Sequence, residues 1–253
     1  MQRVLRLIEQ QRRQFDAHPF FLFLRDDRVA PATRMAYAPY CCHFVLIFAD
    51  INKYVLRDEQ STDRYQQIVN RHTREDDNHW LWYLHDLAKL RMHPADSFAG
   101  TVHFIWGDAG SRARELGYCV IGYALRAEPL LRLVIVEALE ATGHVWLNTT
   151  VKLTQALPNG HELLFFNDHH MDCEIGHSTD ADEVREIVVP PALRPLAAEA
   201  VQAIFGKMTA FCTEMLERLQ PQADAMVNHA NARAATAARV TTRRCMHSKG
   251  ERP

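Results

Sequence analysis

The chain has little of the punctuation that cuts a fold into short pieces: ten Gly and eleven Pro in 253 residues, most of them between long stretches of helix-forming residues. Strand-like alternation is nearly missing, since only EIVVP at 186–190 reads that way, and this excludes an all-β or α/β architecture. The six cysteines, Cys41, Cys42, Cys119, Cys173, Cys212 and Cys245, show no CxxC spacing. That argues against a cysteine zinc site or a disulfide scaffold and for reduced thiols. No run approaches the roughly 18 apolar residues of a membrane span. The opening MQRVLRLIEQQRRQF is amphipathic and rich in Arg and Gln, without the continuous apolar core of a signal peptide. A soluble, cytoplasmic protein without a membrane partner is expected. Charge of one sign is also lacking, because 29 Lys and Arg stand against 31 Asp and Glu. A net charge of −2 supplies no general field for nucleic acid, so none is expected as a partner.

What is present is apolar content with helical spacing. At 47% hydrophobic residues the chain can bury a sizeable core without staples. Apolar positions three or four apart predict helices over 2–16, 33–56, 62–92, 95–105, 109–126, 129–155, 161–177 and 193–227. Pro31, Pro94, Pro129, Pro158 and Pro191 fall at the joints. STDR at 61–64 and HPAD at 93–96 read as helix starts, and LPNGHE at 157–162 as a turn. An all-α bundle forming a single domain over 1–230 is expected, followed by a basic, disordered tail over 231–253.

Two stretches carry chemistry. HTREDDNH runs from His72 to His79 with Asp76 between them, and HMDCEIGH runs from His170 to His177 with Glu174 in the equivalent place. Successive helix residues turn by about 100°, so positions i, i+4 and i+7 lie within roughly 60° on one face. Each trio would then point one way from a long helix, and facing helices are where carboxylate-bridged two-metal sites are built. Imidazole with carboxylate suits Fe, Mn or Zn. A third helix, LVIVEALEATGHVW at 133–146, carries Glu137 and Glu140 among apolar residues, where a buried charge is costly unless paired or metal-bound. Glu140 is the preferred further ligand, with Glu137 as its substitute and Glu75 as the substitute for Asp76. With fourteen His in the chain, some pairs fall seven apart by chance, and REDD alone reads equally as a solvated helix face. The repeated carboxylate offset favours metal. An axial heme ligand such as His18 would leave both trios unexplained.

This order of motifs resembles the heme-oxygenase-like diiron oxidases and oxygenases, over roughly residues 10 to 225. The resemblance implies a compact bundle of about seven helices. It places the family's closing His, acid and His on His170, Glu174 and His177, its earlier acid and His on Asp76 and His79, and its lone mid-chain Glu on Glu140. His72 departs from the pattern, standing where many members have Glu. The implied activity is oxidation of a small amine- or carboxylate-bearing metabolite such as an amino acid, by N-oxygenation, desaturation or C–C cleavage. Two Fe2+ per chain, or Mn in their place, would use O2 as cosubstrate. The resemblance also covers metal-free thiaminase-like and pyrroloquinoline-quinone-synthase-like enzymes, in which His and Glu would act as acid and base. A non-enzymatic ligand-binding protein is the third alternative, and the assembly is open to a homodimer. Pocket candidates are Trp80, Tyr83, Phe165 and Phe166, one turn from the motifs, with Tyr118, Tyr123 and Arg126 as candidates to meet a substrate carboxylate.

Overall fold

The computed structural model describes residues 1–92, 97–177 and 181–219, with side chains described at all of these except 174–177 and 181–183. Among the described residues the fold is all-α, without a strand. The helices are α1 Gln2–Asp16, α2 Pro19–Leu24, α3 Pro31–Arg34, α4 Cys42–Asp50, α5 Arg64–Asp76, α6 His79–Lys89, α7 Phe98–Trp106, α8 Ser111–Ala124, α9 Pro129–Thr154, α10 Asp168–His177 and α11 Ala181–Glu186. A further helix, α12, covers 194–219. No described helix is long and apolar enough to cross a membrane.

The bundle is organised around α9. Sixteen of its 26 residues are buried, on every side, as expected of a helix surrounded by others rather than lying on a surface. It packs against α1, α2, α5, α8 and α10. Pro129 occupies its first turn, where a missing N–H costs no helical bond. The buried hydroxyls on α9 are satisfied within the helix: Thr142 donates to the Leu139 carbonyl at 2.7 Å and Thr149 to that of Val145 at 3.0 Å.

Several expected boundaries hold. Asp63 caps α5 by accepting from the N–H groups of Tyr65 (2.8 Å) and Gln66 (3.1 Å), as STDR predicts. The turn after α9 closes with Gly160 N–H donating to the Leu157 carbonyl at 3.1 Å. Its Gly is required, since a Cβ there would stand 1.8 Å from the Thr154 carbonyl oxygen. The start expected in HPAD and the tail over 231–253 lie outside the described residues.

Three expectations need correction. The helix expected over 33–56 begins with 3-10 turns at Met35–Cys41, continues as α4 and ends in a π-helical segment at Ile51–Leu56. The helix expected over 62–92 is two, α5 and α6, separated at Asp77 and Asn78. Arg57 sits at the break. Its guanidinium donates to the Thr73 carbonyl, the acceptor that the Asp77 N–H would need, and to Asp77 Oδ2 at 2.7 Å. The helix expected over 161–177 starts at Asp168 instead. Asp86 accepts from the N–H groups of Leu164 (2.8 Å), Phe165 (2.9 Å) and Phe166 (3.0 Å), holding that stretch out of a helical ladder.

Candidate functional site

The break between α5 and α6 decides the first half of the site. Asp76 is the last residue of α5 and His79 the first of α6, so His79 does not follow His72 by two turns of one helix. The two are nevertheless neighbours, with His79 Nδ1 3.9 Å from Asp76 Oδ1, and both are buried. His72 is buried on α5 one turn before Asp76.

The second half comes from α10. His170 is buried, and its ring lies edge-on to that of His79 with centroids 4.4 Å apart. Its Nδ1 lies 2.9 Å from the Phe165 carbonyl oxygen. A carbonyl oxygen only accepts, so Nδ1 is the donor in this contact and Nε2 is the nitrogen left to face a ligand or a proton. Glu174 and His177 follow on the same helix at offsets of one and two turns, and their side chains lie outside those described.

A cavity of about 130 Å³ joins these halves to α9. Asp76, His79, Glu140 and His170 all line it, so residues from four helices meet at one space. The rest of the lining is nonpolar or nearly so, including Phe44, Phe48, Trp80, Trp146, Phe165, Phe166 and Phe211. Neither Lys nor Arg is among the described lining residues. Cys41 also faces the cavity, and burial pushes its thiol pKa upward, so it stays protonated. Glu140 lines the cavity whereas Glu137, one turn earlier and half-buried, is not among the lining residues. Glu75 is exposed.

The pocket candidates separate in the same way. Trp80, Phe165 and Phe166 line the cavity. Tyr83 is fully buried beside it, its hydroxyl donating to the Ala38 carbonyl at 2.8 Å, and burial pushes its pKa up. Tyr123 donates to Glu199 at 2.8 Å at the surface, a bond that with burial pushes its pKa up to about 12. Tyr118 and Arg126 are exposed. His18 caps α2, its Nδ1 accepting from the Phe20 N–H at 3.2 Å.

No protein-family model and no curated protein matches the chain. What the site can do is therefore read from its own geometry.

Two residues outside the motifs, Trp82 and Asp86, shape the site. Trp82 stacks on His79 with centroids 4.4 Å apart and meets His169 edge-on at 4.7 Å, so it walls the imidazole pair. Its place three residues after His79, on the same helix face, was the available signal. Asp86 has no exposed surface and ties α6 to the segment that supplies Phe165, Phe166 and, through the Phe165 carbonyl, the orientation of His170. The His85–Asp86 pair is visible in sequence, with His85 Nδ1 3.1 Å from Asp86 Oδ1, but the three backbone partners are not.

The donor set suits a metal by its chemistry: two imidazoles and two carboxyls facing a cavity otherwise poor in polar groups. Among the described residues, no three His, Cys, Asp or Glu side chains are gathered tightly enough to hold an ion by themselves. A complete ligand set would thus have to draw on Glu174 and His177.

Proposed function

We propose that the chain is an O2-dependent non-heme iron oxidoreductase acting on a small amine- or carboxylate-bearing metabolite with a nonpolar portion. The observation supporting this reading is that Asp76, His79, Glu140 and His170, from four helices, line one cavity whose remaining wall is largely nonpolar. Together with Glu174 and His177 of the second motif, these side chains would hold two Fe2+, or Mn in their place, whereas His72 is not among the cavity-lining residues. When bound, the metal supplies the electrons for dioxygen reduction, chemistry that no amino-acid side chain provides.

The chain's own residues have three tasks. The Phe165 carbonyl accepts from His170 Nδ1 and so leaves Nε2 as the nitrogen that would meet a metal. The aromatic wall excludes water from the acid and imidazole groups, which strengthens every electrostatic interaction there. The same wall holds the nonpolar portion of the substrate. Since the described lining offers no guanidinium, a substrate carboxylate would have to be met by metal rather than by Arg126.

A second reading, acid–base catalysis without metal by the same His79 and His170, is favoured by the direct contact of their rings. One experiment separates the two. Protein loaded anaerobically with ferrous iron, freed of unbound metal and mixed with dioxygen in a stopped-flow spectrometer is expected to hold close to two irons per chain. It should give a transient visible band that a particular amino acid or amine hastens. Absence of both bound iron and transient would overturn the oxidoreductase reading. Turnover that survives exhaustive chelation would establish the metal-free one.

A further inference from the structure

Gly143 lies in the interior of α9, where a Gly is destabilising relative to Ala because it loses more backbone freedom on folding. Two reasons commonly explain such a residue, and neither applies. No described Gly has a positive φ. Nor does a neighbour press on it, since a Cβ at Gly143 would meet nothing within 4 Å. Gly117 on α8 shows the contrast: a Cβ there would come within 2.9 Å of Ile47, so close packing of α8 on α4 requires it. What Gly143 adjoins is the cavity, which it lines. It stands three residues after Glu140 and three before Trp146, both of which line the same space. At 1.5 Å per residue it lies about 4.5 Å along the axis from each, between the acid and imidazole end and the aromatic end.

We propose that the cavity takes a compact nonpolar group of the substrate, an aromatic ring or a branched alkyl end, and that Gly143 provides the clearance for it. The size follows from the volume. At about 130 Å³ the space is close to that of the engineered apolar cavity known to hold benzene, so about six heavy atoms fit. The chemistry follows from the wall, where Phe48, Trp146, Phe166 and Phe211 offer ring faces and edges and no described side chain offers a cation. Any side chain larger than hydrogen at 143 would extend into the space that this group needs. The proposal deepens the oxidoreductase reading, on which the word substrate rests, whereas the nonpolar fit itself needs no iron.

The test uses the full chain in chelator, titrated calorimetrically with benzene, in parallel with iron loading of the same preparations. Wild-type protein is expected to bind benzene saturably with a negative heat-capacity change. Gly143→Leu should bind it at least about tenfold more weakly while melting at or above the wild-type temperature, because Leu both favours helix and fills the cavity. Gly143→Ala should fall between, which keeps the test valid if Leu prevents folding. Gly122→Leu, at an exposed position of α8, should leave benzene affinity unchanged and so controls for helix propensity. Equal benzene affinity in wild type and in both Gly143 variants would overturn the assignment, as would a wild type that binds no benzene. A wild type that takes benzene but no iron would support the cavity assignment while overturning the oxidoreductase reading.

Discussion

Among single residues, Asp86 has the widest reach. One fully buried carboxyl group accepts from three consecutive backbone N–H groups, and Phe165, the middle residue of the three, also offers its carbonyl to His170. Hydrogen bonds to a charged group are worth more than neutral ones, and leaving buried N–H groups without an acceptor adds a desolvation cost. Asp86→Ala should therefore destabilise the chain by at least about 3 kcal/mol in a urea titration. At low temperature, where the variant still folds, the imidazole NMR signals of His170 should shift because its backbone acceptor has moved. A loss under about 1 kcal/mol with an unchanged His170 signal would show that the segment before α10 is held by something other than this carboxyl.

For helices, the informative feature is the interruption between α5 and α6. Residues 62–92 have the composition and spacing of one long helix, and at the two-residue break Arg57 takes the Thr73 carbonyl and the Asp77 carboxyl. Arg57 and Asp77 are both largely buried, at 15% and 9% side-chain exposure, so the pair matters more than a surface bridge would. Replacing Arg57 by Met keeps much of the stem and leaves Asp77 without its guanidinium. The expected cost is about 2–3 kcal/mol, read from thermal or denaturant unfolding. Arg57→Met should also move His79 relative to Asp76 and so weaken iron binding. Unchanged stability and iron content in this variant would rule out Arg57 as the cause of the break.

Across the whole molecule, the core and the cavity wall share aromatic residues, Phe166 and Phe211 among them. The core is a continuous nonpolar cluster built around α9, with Phe20, Phe21 and Tyr37 packed ring against ring within it and Trp146 packed against them. Asp76, His79, Glu140 and His170 are not part of that cluster, and acid and imidazole groups facing one cavity are a cost to the fold unless something compensates them. If the proposed ligand set is right, His177→Ala should keep the helical circular dichroism and bind far less iron than wild type on anaerobic loading. Full iron content and turnover in that variant would remove His177 from the ligand set and with it the proposed role of the second motif.

The sequence alone determined the helical character of the chain and the limits of α1 and α9, because apolar spacing and a first-turn Pro are local signals that act within one helix. It also singled out Asp76, His79, Glu140 and His170, since paired acids and imidazoles at helical spacing stand out from an apolar background. It could not place them at one cavity, nor end α5 at Asp76, nor delay α10 to Asp168. Those were decided by Arg57, which bonds the Thr73 carbonyl and the Asp77 carboxyl 16 and 20 residues away, and by Asp86, which accepts from three backbone N–H groups 78 to 80 residues away. A hydrogen bond of that span leaves no periodicity in the sequence, so only the tertiary structure could fix where the helices stop and which side chains meet.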